Sequence, residues 1–168
     1  VLCGLLSSGM AAAGGKELLV DLGTNTEIAL GNREKMLACS VDGGAAFRAS
    51  LLEHGMTASV GAISAVRYAD GELELEVLGA AEPRGICGSG FIDILGILYE
   101  EEILDEMGHI VDPEETDSEL ARYIGTEGGR AVFYLTENHR IYVSQADISK
   151  FQLAKAAVSA GIRILAEE

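Results

Sequence analysis

Tryptophan is absent from the 168-residue chain and proline nearly so, with two residues. No proline-rich linker or polyproline segment can be built from that supply. Cysteine is scarce too. Cys3, Cys39 and Cys87 are widely spaced and form no C-x-x-C pair. A disulfide framework is therefore not expected, nor an iron–sulfur site within this chain, and a reducing, cytoplasmic setting fits. Positive charge is short: 12 Lys and Arg stand against 27 Asp and Glu, a net charge of −15. A nucleic-acid groove needs a basic face, and an anionic membrane surface attracts one, so neither partner is expected. No apolar run reaches membrane-spanning length. The opening VLCGLLSSGMAAAGG lacks both a basic leader and an initiator Met, so it reads as the start of an excised fragment rather than a signal peptide.

What is present is globular: 48% of residues are hydrophobic and 23% charged, enough for one compact domain. The acids are unevenly spread. Residues 100–119 carry ten of them and no Lys or Arg. Such a run reads as a solvated helix end and loop. A docking face for a basic partner is the alternative, and no EF-hand spacing supports a cation site.

Hydrophobic periodicity gives a coarse layout. Residues 1–12 suit a short apolar helix ended by Gly14 and Gly15. Residues 17–22, 25–30 and 35–40 read as three strands of a meander, the last two linked by a turn over 31–34. Residues 43–54 suit a short helix. Two alternating runs flank Asp70-Gly71, a strong hairpin signal, with Glu72, Glu74 and Glu76 on the wet face. GICGSG (85–90) leads into a helix over about 90–104. Residues 131–136 and 140–144 form another hairpin around Asn138-His139. Ser144 and Asp147 have capping-box spacing before a long helix with Phe151, Ala154, Val158, Ile162 and Leu165 inward. The first three strands are too close in sequence for crossover helices, so the fold class is α/β opening with a three-stranded antiparallel meander, not a doubly wound parallel sheet.

Two Gly-rich sites carry candidate chemistry. In LLVDLGTNTEIALG (18–31) a strand ends on Asp21, and Gly23, Thr24, Asn25 and Thr26 make the turn. Backbone amides and small hydroxyls there can cradle phosphate, while the carboxylate can hold Mg²⁺ or orient a water. Glu27 can second Asp21 or simply face solvent. The second site is Gly88, Ser89 and Gly90 at a helix start, where an anion is favoured; Ser89 can serve equally as an N-cap. Its G-x-x-G-x-G order is not the dinucleotide fingerprint. Cys87 reads as a small buried apolar residue, and Lys155 as a surface lysine. His54, His109 and His139 lack metal-ligand spacing and read as surface or turn residues. GMAAAGGK (9–16) misses the Walker A spacing and has Glu17 where Ser or Thr is needed.

Taken in order, LLVDLGTNTEIALG, LACS with GGAAF, RGICGSGFIDIL (84–95), ILDEMG (103–108) and SQADISKFQLAKAAVSAGIRIL (144–165) resemble one family along nearly the whole chain. It is the C-terminal actin-like ATPase domain of the reductive activators of corrinoid proteins. The D-x-G-T turn alone indicates only the actin, sugar-kinase and heat-shock chaperone superfamily; the combination with G-I-C-G-S-G is far more specific. The resemblance implies an RNase H-like subdomain and makes residues 1–168 a single partial domain. It implies ATP with Mg²⁺ as cofactor, with Asp21 positioning Mg²⁺ or water and the 23–26 turn as the second of two phosphate hairpins. The first hairpin would lie upstream and the adenosine turn downstream. It also implies an iron–sulfur cluster in the parent protein but not in this chain, a corrinoid protein of a methyltransferase system as partner, and a homodimer as a candidate state. Gly44 to Ala49 depart from the family's G-P-A-F-E-G, with Arg48 in place of the acid, and Thr26 stands where Gly is frequent. Two other classes stay open: a small-molecule kinase or radical-dehydratase activator on the same fold, and a non-catalytic interaction module.

Overall fold

Three strands pair antiparallel at the front of the chain: β1 (Glu17–Asp21), β2 (Asn25–Gly31) and β3 (Met36–Asp42), in the order β1-β2-β3. The structure, a computed structural model, describes residues 1–23, 25–42 and 51–168. Thr24 and most of the helix expected over 43–54 lie outside the described residues. The chain divides into two compact units, Val1–Phe47 with Phe151–Glu168, and Arg48–Lys150.

In the first unit the pleat sorts side chains onto two faces. One carries Ile28, fully buried in the central strand, with Cys39 and Val41 beside it. Helix α3 (Gln145–Glu167) lays Gly161 on this face. A Cβ on Gly161 would stand 2.7 Å from Ile28 Cδ1 and 3.0 Å from Val41 Cγ1. The helix carries glycine where it comes closest to the sheet. The other face carries Leu19, which lies against Gly4 of α1 (Leu2–Ser7). The apolar helix expected to run to residue 12 breaks earlier. Gly9 takes a left-handed φ of 78°, and a 3₁₀ turn at Met10–Ala12 then drops Met10 into the core.

The second unit is built on β4 (Ala62–Ala69), paired antiparallel with β5 (Glu72–Val77) and parallel with β6 (Gly85–Ile86). Asp70 and Gly71 turn with φ of 51° and 80°, the two left-handed residues that a tight hairpin needs. Along β5 the expected alternation holds: the glutamates are exposed and Leu73, Leu75 and Val77 half-buried. Helix α2 (Gly88–Glu100) buries Phe91, Ile94, Leu95 and Leu98, an i, i+3, i+4, i+7 stripe. It stops four residues short of its expected end. Glu102 takes a left-handed φ of 55°, while the Ile103 and Glu102 amides donate back to Leu98 and Tyr99. This is a Schellman turn with Glu in the glycine position, and it turns Ile103 into the core at 0% exposure.

The third sheet is β7 (Ile124–Glu127), β8 (Arg130–Tyr134) and β9 (Tyr142–Ser144), all antiparallel. The β8–β9 hairpin was legible in the sequence; β7 is an added strand, joined through Gly128 and Gly129 at φ of 55° and 79°. Helix α3 opens on the expected capping box. The Ser144 hydroxyl donates to Asp147 at 2.8 Å, and the Asp147 and Ser144 amides each reach the other's side chain at 3.3 Å. Asp147, only 1% exposed, also accepts from Lys150 at 3.0 Å and from the Glu53 amide at 3.3 Å.

Acidic groups crowd Tyr142, whose hydroxyl donates to Glu53 at 2.7 Å. That bond, burial, and the charges of Glu53, Glu127 and Asp147 push its phenol from 10.0 up to about 12. Tyr134 is raised likewise, first by its bond to Glu127. Because the folded value for Tyr142 lies above the unfolded one, its contribution to stability is complete below pH 10.0 and is lost as pH rises toward about 12. Tyr142→Phe should flatten that limb of the stability curve. Chemical denaturation across this range checks it, and a limb unchanged in the variant would refute the assignment.

In the acidic run every acid but the half-buried Glu101 is exposed, as a solvated helix end and loop requires, and a few of them also hold local turns. Asp105 accepts from the amides of Met107 and His109 and from the His109 ring, and Glu101 accepts from Ser118. The bond from the His109 amide, above all, holds the Asp105 carboxyl below its usual range. No described helix is long and apolar enough to cross a membrane.

Candidate functional site

The open end of the first sheet concentrates polar groups. Register places Asp21 directly opposite Glu27, Glu27 opposite Ser40, and Asn25 opposite Asp42. Directly opposed residues share a face, so Asp21, Glu27 and Ser40 form one row across three strands, with Asn25 and Asp42 flanking it. The Ser40 hydroxyl donates to Glu27 Oε1 at 3.3 Å. Asp21 is 57% exposed. At Gly23 a Cβ would stand 3.4 Å from the Asn25 carbonyl, an ordinary van der Waals contact.

The row suits a hard cation. Its donors are oxygens. No group of three or more His, Cys, Asp or Glu able to hold a metal ion comes together among the described residues. Magnesium ordinarily meets one or two carboxylates and completes its shell with water and phosphate oxygens. A metal–nucleotide complex therefore fits this row better than a bare ion.

Thr26 stands apart from its neighbours. It is fully buried on the face that carries Ile28, and its hydroxyl has no partner among the described residues. Its side chain leaves the sheet on the face opposite Asp21, so the hydroxyl expected to assist at Asp21 belongs to the interior side of the turn. The Gly23 and Asn25 positions stay accessible at the bend.

The second expected site belongs to the other unit. Cys87, buried, occupies the N-cap position of α2 without capping through its side chain. Ser89 is not the N-cap: its hydroxyl donates to the Ser64 carbonyl at 2.6 Å, tying the helix start to β4. Gly90 is a packing glycine, since a Cβ there would stand 2.5 Å from the Ile63 carbonyl oxygen. Gly88 has open space around it. The amides of Gly88, Ser89 and Gly90 form the helix's first turn, whose N–H groups have no partner within a helix.

Sequence reasoning did not foresee the Ser40–Glu27 link, which only strand register reveals. It also read His54 as a surface or turn residue. Its ring meets Tyr142 edge-on at 4.2 Å between centroids, and its Nε2 is buried with no partner among the described residues.

Comparison with known proteins follows the same line. The family described as the C-terminal domain of RACo, the ASKHA domain, matches residues 16–168. The corrinoid activation enzyme RamQ of Eubacterium limosum is 33% identical over 158 residues, covering 89% of this chain and 27% of that protein. A solved structure titled reductive activator for corrinoid, iron-sulfur protein superposes with a TM-score of 0.76 at 33% identity, covering 96% of this chain and 26% of that one. The chain thus spans about a quarter of the length of these relatives. Its mixed α/β architecture, opening on an antiparallel three-stranded sheet, is that of the matched domain. The chain belongs to the family of RACo C-terminal ASKHA domains.

Proposed function

We propose that this chain is one part of an ATP-dependent reductive activator that restores the reduced cobalt state of a corrinoid protein, with residues 1–168 a partial actin-like domain. The carrying observation is the exposed Asp21 carboxylate at the end of β1, with Glu27 and Ser40 in register beside it. Amides of Gly23 to Thr26 hold phosphate in this reading, and Asp21 positions Mg²⁺ or a water. The first-turn amides of Gly88, Ser89 and Gly90 are a second anion contact.

Bound ATP supplies charge and binding energy, not an electron. It biases a conformational equilibrium by binding one state better than the other. The electron comes from an iron–sulfur centre outside this chain. The partner is a corrinoid protein of a methyltransferase system, the setting is cytoplasmic, and the activator works as a homodimer.

The test is cobalt reduction followed optically, with the complete gene product, its corrinoid protein and a reductant, with and without ATP. Reduction should require ATP. Equal rates without nucleotide would end this reading.

A further inference from the structure

Strand β5 ends its sheet. Among the described residues it pairs with β4 on one side and with no strand on the other. Such an edge presents a row of unpaired N–H and C=O groups, which proteins blunt with proline, lysine, a bulge or a cover. β5 has neither proline nor lysine over its six residues. A groove of about 540 Å³ opens beside it. Leu73, Leu75, Tyr123 and Leu135 give that groove an apolar lining, and no Lys or Arg among the described residues lines it. Leu73 and Leu75 share a face with their β4 partners Tyr68 and Val66. Val66 is 5% exposed, whereas the two leucines stay half-buried. The apolar layer stops short at the edge strand, where one more strand would continue it.

On its other face β5 carries Glu72, Glu74 and Glu76. Arg122 holds Glu72 at 2.8 Å. Glu74 and Glu76 have no ion-pair partner among the described residues, and neither do Glu82 and Glu137 at the groove. Two copies meeting edge to edge would bring these acids together, and like charges opposite one another destabilise a sheet. A second copy is therefore a poor occupant, and a basic one fits.

We infer that the β5 edge receives an extended segment of a partner protein in which apolar side chains alternate with Lys or Arg. Its main chain extends the sheet by hydrogen bonds to β5. Period-two alternation then sends its apolar residues onto Leu73, Leu75 and the groove, and its cations onto the face of Glu74 and Glu76. Glu82 and Glu137 add attraction at the groove. The whole surface lies within the Arg48–Lys150 unit, and its occupation requires no nucleotide.

The test is fluorescence anisotropy of a labelled six-residue peptide alternating lysine and valine, titrated with the complete gene product. A second peptide has glutamate in place of lysine. A third carries a methyl on every backbone nitrogen, which removes all the donors of a strand. The wild type should bind the first peptide about tenfold or more tighter than either of the others. Glu74→Lys with Glu76→Lys should weaken that binding by about tenfold or more. Glu114→Lys with Asp117→Lys makes the same change of net charge in the acidic run and should leave the affinity within about twofold. All four positions are exposed.

Equal weakening by the two double variants would mean bare charge attraction. A fully methylated peptide that binds as tightly as the first would mean that no strand is added. Dimers of the complete product that the first peptide dissolves would give the edge to a second copy. Any of these results overturns the inference.

Discussion

Asp21→Asn in the complete gene product should lower ATP-dependent activity by about two orders of magnitude or more, with folding stability close to that of the wild type. Both halves of this expectation come from the position of the side chain. The carboxylate is 57% exposed at the end of β1. Surface positions of that kind change stability by about 0.5 kcal/mol or less, so replacing the acid by its amide has little to break. The amide keeps the volume and one acceptor oxygen but removes the charge. A hard cation bridging to phosphate depends on that charge, and so does a water activated beside it. Hydrolysis and denaturation should be measured on the same preparation. Intact ATP hydrolysis would remove Asp21 from the mechanism, whereas joint loss of activity and stability would make it a structural residue.

Much of this geometry was legible before any coordinates. Asp21 and Gly23 announce a strand ending in a bend. Asp70-Gly71 between alternating runs fixes the β4–β5 hairpin, because few other residue pairs tolerate two left-handed conformations in succession. Ser144 and Asp147 mark the start of α3 through a local, short-range interaction.

What escaped is what depends on register and on distant burial. Which side chains share a face at the Asp21 bend is decided by how β1 pairs with β2. A slip of one residue would have placed Thr26 beside Asp21 and buried Glu27 instead. The Ser40–Glu27 bond needs β3 as well. Strand β7 is four residues long and carries a glycine, so its composition gives little strand signal, and its Gly128-Gly129 turn carries the information. Helix α2 ends where Ile103 must enter the core, a demand strong enough to hold Glu102 in a left-handed conformation. Ser89 could not be told from an N-cap because its actual acceptor, the Ser64 carbonyl, is 25 residues away in sequence.

Gly31→Ala should be the most damaging small substitution in the first unit, and the reason bears on the site itself. Gly31 ends the central strand at a φ of 150°, where a side chain is strained. A Cβ there would run into the Lys35 carbonyl oxygen and would stand 2.7 Å from Met36 Cα, both backbone atoms. Backbone cannot step aside here. The turn is pinned by Asn32, whose amide reaches the Lys35 carbonyl at 2.9 Å and whose side chain accepts from Glu34 and Lys35 at 2.9 Å and 3.1 Å. A loss of about 3 kcal/mol or more is expected. Gly161→Ala offers the contrast. Its added methyl meets only side-chain ends, Ile28 Cδ1, Val41 Cγ1 and Cys39 Sγ, which can rotate away, and alanine favours the helix by about 1 kcal/mol. Its net cost should be about 1 kcal/mol or less. Urea denaturation of the two variants ranks them. Equal losses would mean that the Gly31 turn yields after all. The β2–β3 register that brings Ser40 to Glu27 at the open end of the sheet is set at that same turn.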